Sequence, residues 1–457
     1  MITTKSGGGG ATASVKKTEI TVSQSFFFNE IASLPDYQDD YGNGFDQSFG
    51  WFFSNWGPNF SPNGVDGYLN DPAGLIDGNG TLAHPYDTSA FLNNFNGGNN
   101  ELKNKYAGAR YAYRPYNSVE NFFKTGAVSN TSINIRGNSE DGKVAFNVNY
   151  GHLDEEGFTP GNGIRRNTLA VGGRAQLSNK FTAQATLNFS RNDVKSPPVA
   201  ASRGNGTLGF STFANVFFTP RSVDLMGLEF EIPENGGSIY YRNGNDIINP
   251  RWSVKNAGSR QLTNRVFGTA QLQYDITDNL NILYRAGVDF YNERNTQYVN
   301  KNGVNFNQAI NGQYITWDNN VRIWDHYISL GGDYDLGSDF GISFTAGATS
   351  RSREFDQQGV QSDGQIVFGV LRHFNFLTQT PIQFTTYRNI VGVFGEALID
   401  FRDYAFLTLS GRNDWVSNLP TENNSKFYPS VSASFVPTPA FPSSRSNGFN
   451  YQKSRAG

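Results

Sequence analysis

The sequence predicts an all-β protein: a transmembrane antiparallel β-barrel of about twelve strands, with short turns at one rim and long loops at the other. Three observations predict it. Large apolar residues recur at every second position over many separate segments. The connections between these segments alternate between short and long. No stretch reaches the ~18 continuous apolar residues of a membrane helix, whereas strands that cross a bilayer need only one apolar face.

The first strand is expected within residues 11–26, and a looser alternation follows at 131–137. In Val144-Ala145-Phe146-Asn147-Val148-Asn149-Tyr150 each second residue is large and apolar, and those between are small or polar. Leu169, Val171, Gly173, Ala175 and Leu177 alternate with Thr168, Ala170, Gly172, Arg174 and Gln176. Phe181, Ala183, Ala185, Leu187 and Phe189 alternate with Thr182, Gln184, Thr186 and Asn188. Successive side chains on a strand point to opposite faces, so each segment carries one apolar and one polar face. The pattern returns at 265–276, 280–291, 340–351 and 404–412, and more loosely at 324–336, 390–401 and 428–436.

Short turns are predicted at Asn138–Gly142, Ser178-Asn179, Thr277–Asn279, Gly337–Asp339 and Arg402-Asp403. Long connections are predicted at 27–130, 152–164, 192–264, 292–323, 352–389 and 413–427. Outer-membrane barrels have this asymmetry, with short periplasmic turns and long extracellular loops. A soluble sandwich has turns of similar length at both ends. Every backbone polar group in lipid must be paired, so the apolar set should face lipid and the polar set a wet lumen. Arg174, Arg285, Asp289, Glu396 and Arg412 all fall on the predicted inner face or its rim.

Composition agrees. Aromatic residues make up 14% of the chain and glycines number 50, which suits strands, tight turns and interfacial girdles. Mean hydropathy is -0.49, as expected where loops and a lumen are polar. The chain has no cysteine, which excludes a disulfide scaffold and thiolate metal ligation. A net charge of -3 leaves no electrostatic footprint for nucleic acid. Residues 1–10 lack the charged and apolar regions of a secretory signal, so a leader is expected upstream.

Four stretches carry further information: Met1–Gly7 (MITTKSG), Leu34–Gly44 (LPDYQDDYGNG), Asn121–Gly126 (NFFKTG), and Gly411–Pro420 (GRNDWVSNLP) followed by Phe427–Ser432 (FYPSVS). In this order and spacing they resemble the SusC/RagA group of TonB-dependent outer-membrane transporters of Bacteroidetes, over nearly the whole chain. The resemblance implies a 22-stranded barrel filled by an N-terminal plug. On that reading residues 1–10 are the last plug strand and linker. Residues 11–457 are the N-terminal part of the barrel, running to the opening of a thirteenth strand at Tyr451–Gly457. The resemblance also implies import of a glycan or oligopeptide, a SusD-like surface lipoprotein as partner, and energy from the TonB-ExbB-ExbD complex acting on the plug. A passive porin, a surface adhesion barrel and a nonfunctional gene fragment are the alternatives. The plug-like Met1–Gly7 speaks against a porin, which has no plug to end.

No residue is expected to be catalytic, and no cofactor is expected. His84, His152, His326 and His373 show no ligand spacing. Asp77-Gly78-Asn79-Gly80-Thr81 is similar to part of a calcium loop but lacks the closing glutamate, so a plain turn is expected. A membrane-embedded hydrolase would require a serine, a histidine and an orienting group at the rim, and His326 is the one histidine placed for it. The candidate ligand-binding residues are aromatics of the first long connection: Trp51, Trp56, Tyr68, Tyr111 and Tyr113. They can stack on sugar rings or peptide side chains in an outer vestibule, or simply pack the loop.

Overall fold

In the computed structural model, thirteen strands form one sheet in chain order, each antiparallel to the next. The structure describes residues 18–87, 100–198, 211–242, 244–441 and 454–456. The strands are β1 (Glu19–Asn29), β2 (Gly126–Asn138), β3 (Val144–Glu156), β4 (Gly163–Gln176), β5 (Phe181–Ser196), β6 (Ala257–Thr277) and β7 (Leu280–Val299). They continue as β8 (Gln313–Leu336), β9 (Phe340–Gln365), β10 (Phe376–Phe401), β11 (Ala405–Val416), β12 (Ser425–Phe435) and β13 (Ser454–Ala456). Residues 1–10, expected to end a plug, lie outside the described residues.

Each predicted strand is present among the described residues, and from the second strand on the turn-side end falls where the alternation stops; residues 11–17, the predicted opening of the first strand, lie outside the described residues. The loop-side ends do not. β8, β9 and β10 run to 24, 26 and 26 residues, and a bilayer crossing takes about 9–11. The predicted long connections 292–323 and 352–389 therefore shrink to 300–312 and 366–375, and 152–164 becomes the tight link 157–162. The reason is physical. Above the membrane both faces of a strand are wet, so side-chain alternation disappears while backbone pairing continues. Across this upper region Asn292 donates to Asn320, Asn319 to Glu293 and Gln357 to Asn319, each through a side-chain amide at 2.8–2.9 Å.

The outer face marks the lipid band. Leu187, Val266, Leu272, Ile328, Leu330, Val391, Val393 and Leu409 all present exposed apolar side chains there. An upper girdle is formed by Trp324 and Phe290, with ring centroids 5.0 Å apart. A lower one contains Tyr334 and Phe344, the Phe340–Phe401 pair at 4.9 Å, and Tyr404. From Trp324 to Tyr334 is about 33 Å of strand, which a 35–45° tilt converts to about 25 Å along the normal. Just above Trp324 the outer face turns polar, with Arg322–Glu354 and Arg294–Asp318 pairs at 3.4 Å.

The largest buried cluster is not in the sheet. It lies where the connections 30–125 and 197–256 fold against each other, and it includes Phe49, Leu82, Tyr86, Tyr111, Phe122, Val216, Leu225, Ile239 and Tyr240. Short helices frame it. At Thr212–Phe217 the Ser211 side chain accepts from Ala214 N–H, and at Pro250–Asn256 Asn249 caps ahead of a proline at the first turn. The motif Leu34–Gly44 stitches the two connections. Buried Arg221 donates from Nε to Asp39 at 2.7 Å and from Nη2 to Asn117 at 2.9 Å. Ser222 Oγ accepts from Asn43 N–H at 2.7 Å. A Cβ on Gly42 would lie 2.5 Å from the Tyr113 hydroxyl, so the chain needs glycine there. The motif Asn121–Gly126 anchors this cap to the sheet: Phe123 packs on Phe158, Phe213 and Phe217, and Gly126 pairs with Asn29.

Candidate functional site

The register fixes which side chains share the inner face. One row crosses Asn147, Gly172, Thr186, Thr269, Gly287, Asp325 and Arg351 as direct partners. Arg174, Arg285, Asp289, Glu396 and Arg412 occupy the same face by the period-two rule. Together these strands line a cleft of about 1010 Å³ whose walls include Asn149, Asn188, Thr269, Arg285, Asp325, Tyr327, Arg351 and Arg412.

Charge on this wall is ordered. Arg265 grips Asp289 through Nε and Nη2 at 2.8 and 2.6 Å, and its guanidinium lies 4.8 Å from the Phe267 ring centre. Arg412 sits 2.7 Å from Asp414 and donates to Thr349 at 2.9 Å. Arg351 reaches Asp325 only at 3.7 Å. Arg285 stacks on Tyr327 at 5.0 Å, and Tyr327 stacks in turn on Phe394 at 5.6 Å. Arg353 and Arg388 are direct cross-strand partners on the inner face. Among the described residues no carboxylate pairs with Arg285, Arg353 or Arg388. Toward the turn rim the same face carries Asp275, Asp333, Asp335, Glu396 and Asp400. Neutral groups satisfy some of them: Gln273 donates to Asp275 and Ser343 to Asp333, each at 3.0 Å. The Gly411–Pro420 and Phe427–Ser432 motifs prove to be one hairpin, with Arg412 opposite Tyr428 and Gly411 opposite Pro429.

Above the cleft sits the loop cap. Trp51 is half-buried between Phe49, Tyr111 and Tyr241, at centroid distances of 5.2, 5.5 and 6.1 Å. Tyr68, Tyr111 and Tyr113 do not face a vestibule: they are buried in the cap core. Tyr111 donates to the Ser222 carbonyl at 2.9 Å and Tyr113 to the Pro58 carbonyl at 2.6 Å. Their ring faces are spent on packing because this connection and the connection 197–256 share one core. Trp56 is 51% exposed, packed edge-on against Phe45, and Phe45, Phe52 and Phe53 are also exposed beside it in sequence. Nothing in the sequence separates these outward aromatics from the buried tyrosines, since no periodicity runs through the segment.

The remaining candidates resolve locally. Asp77 accepts from the N–H groups of Asn79 and Thr81 at 3.0 and 2.9 Å and from Arg110 at 2.7 Å, which lowers its pKa to about 2. It closes a turn and is already saturated with donors. His84 is buried against Tyr106, its Nδ1 accepts from Tyr86 N–H at 3.1 Å, and burial lowers its pKa to about 4. His326 lies on the outer face, where it shares a 2.9 Å hydrogen bond with Tyr284. That placement removes it from any lumen triad.

Residues 212–450 match the family model described as TonB dependent receptor-like, beta-barrel. The chain belongs to this family of TonB-dependent receptor β-barrels. Its strands therefore cross a Gram-negative outer membrane. It is 21% identical over 322 residues to the TonB-dependent receptor P26 of Formosa agariphila, covering 67% of this chain and 30% of that protein. The fold is similar to that of the RagAB peptide importer in its closed-closed state, at TM-score 0.67 and 16% identity, over 94% of this chain and 46% of that one. The open-open state gives a TM-score of 0.65 at the same identity. The chain thus spans less than half the length of the relatives it matches.

Proposed function

We propose that this chain forms the lumen wall and outer cap of an importer that draws a nutrient, a glycan or an oligopeptide, across the outer membrane with energy from TonB-ExbB-ExbD. The observation that carries the reading is a polar, charge-ordered inner face beneath a folded loop cap. A structural or adhesive barrel has no need of a cleft lined by Arg285, Asp325, Arg351 and Arg412. On this reading residues 1–10 close a plug, and residues 11–457 are the barrel part that surrounds it. A SusD-like lipoprotein sits over the cap, where Phe45, Phe52, Phe53 and Trp56 offer exposed apolar contact area. The fold similarity to a peptide importer makes oligopeptide the first substrate class to test.

The test is uptake in the host that encodes the full protein. Labelled oligopeptides and oligosaccharides should accumulate in wild-type cells and not in cells lacking the protein. The signal should vanish when TonB is inactivated. Uptake that persists without TonB is the signature of a passive pore and contradicts the proposal.

A further inference from the structure

The outer face of β4, β5 and β6 carries a cationic patch directly above the lipid band. These strands lie inside the sheet, paired on both sides, and their outer face points away from whatever fills the lumen. Phe189, beside Leu169 and Val266, marks the top of the apolar band. Two residues further along β5 is Arg191, and four beyond that is Lys195, both exposed on the same face. Among the described residues no carboxylate pairs with either. The other outer-face strand cations above the girdle are each matched: Arg165 to Asp154 at 3.1 Å, Arg260 to Asp193 at 2.5 Å, and Arg294 and Arg322 to Asp318 and Glu354. Lys195 stands directly opposite Arg260, and Asp193 directly opposite Arg165. Asp193 is thus the one carboxylate among four cations on these three strands. Like charges directly opposite on a sheet are destabilising, so an outside anion would relieve the Lys195–Arg260 pair.

A rung of two residues is about 6.6 Å of strand, and a 35–45° tilt makes that about 5 Å along the membrane normal. Arg191 therefore lies in the headgroup layer, which adds about 5–8 Å to each side of the hydrocarbon. Lys195 and Arg260 lie two rungs, or about 10 Å, higher. Below, Gly173, Ala185, Ala270 and Ala286 form one cross-strand row, so the apolar wall is shallow there, between exposed Leu187 and Leu272.

We infer that this patch binds a phosphorylated glycolipid of the outer leaflet. Its acyl chains lie on the shallow wall, one phosphate meets Arg191, and a second anionic group meets Lys195 and Arg260. The two heights select the occupant. A simple phospholipid has its phosphate at one depth and satisfies Arg191 alone, whereas a sugar headgroup bearing several phosphates reaches both. Guanidinium and ammonium groups pair strongly with phosphate. A soluble acidic protein cannot reach Arg191 without displacing the headgroups around it.

The test is native mass spectrometry of the purified full protein in detergent, with a chelator present so that bridging cations carry no binding. The probes are a lipopolysaccharide with phosphorylated inner-core sugars, the same molecule dephosphorylated, and phosphatidylglycerol. The phosphorylated glycolipid should be retained about tenfold or more tightly than either of the others. Arg191→Gln with Lys195→Gln should remove that advantage while the barrel keeps its heat-modifiable mobility on a gel. Arg191→Lys, which keeps the charge, should retain most of it. Arg322→Gln, on a guanidinium already matched by Glu354, should leave it intact. Equal retention of the three lipids, displacement by millimolar inorganic phosphate, or an advantage that survives the double substitution would each overturn the inference. So would a loss in Arg191→Lys or Arg322→Gln as large as in the double variant, or no retention of any lipid.

Discussion

Protonation of His84 should open the loop cap. Its imidazole is 8% exposed and lies parallel to the Tyr106 ring, with centroids 3.9 Å apart. Nδ1 accepts a hydrogen bond from Tyr86 N–H. A proton on Nδ1 would set two donors against each other and place a charge in a low-dielectric site beside Lys105. Burial, first, and Lys105 lower the folded pKa to about 4, against Asp87, which raises it. The unfolded value is about 6.5. Below pH 6.5 the opened cap binds a proton that the closed cap refuses, so closed-cap stability rises with pH through the window from about 4 to 6.5 and is flat above it. The full shift corresponds to about 3 kcal/mol at 1.36 kcal/mol per unit. Allowing for solvent screening, we take about 2 kcal/mol as the realised loss by pH 4.5. The assay is amide hydrogen exchange of residues 80–87 and 100–116 between pH 7 and 4.5, corrected for intrinsic rates. Protection should fall steeply in the wild type. It should fall much less in His84→Gln, whose amide oxygen can keep the Tyr86 bond without titrating. Parallel pH profiles for the two proteins would refute the reasoning.

Three further outcomes follow from the same structure. Ile328 lies on the outer face between Trp324 and Tyr334, near the middle of the lipid band, so Ile328→Arg should cost about 2–4 kcal/mol in a folding titration of the full barrel into lipid. Thr345→Arg, on the inner face opposite Glu396, should cost far less, and equal costs would reject the assigned faces. Arg221→Ala removes the clamp between Asp39, Asn117 and the Tyr37 ring, and should destabilise the cap by about 1–3 kcal/mol, read as faster protease cleavage within 211–256. Gly42→Ala drives a methyl into the Tyr113 hydroxyl and Ser222 Oγ, at 2.5 and 2.7 Å, and should loosen the same cap by about 1–3 kcal/mol without altering insertion of the sheet.

The parts of this fold that lipid dictates were legible in the sequence. Val144–Tyr150, Leu169–Leu177 and Phe181–Phe189 alternate because one face meets hydrocarbon and the other water, and the register bears out their faces. The turns were legible for a related reason: Arg402 and Asp403 adopt φ of 50° and 59°, and only a tight reversal asks that of non-glycine residues. Where water bathes both faces, the signal ends. Asn292–Val299 and Gln313–Ile323 read as loop because their side chains face water on both sides, yet their backbones pair residue by residue. The cap was opaque for the opposite reason. Its core is assembled from Tyr86, Tyr111, Leu225 and Tyr240, far apart in sequence and without a period. Aromatics destined for burial and those left outside, such as Tyr113 and Trp56, therefore look alike.

The central claim is that one face of each strand lines a wet lumen and the other meets lipid. The chain has no cysteine, so single cysteines introduced along β8 from Trp324 to Tyr334 report without background. Spin labels at these positions in the full protein, reconstituted in bilayers, can be read for collisions with oxygen and with a polar nickel chelate. We predict strict alternation. Positions 325, 327, 329, 331 and 333 should favour the nickel reagent, and 326, 328, 330 and 332 should favour oxygen. Uniform accessibility along the strand, or alternation in the opposite phase, would contradict the account.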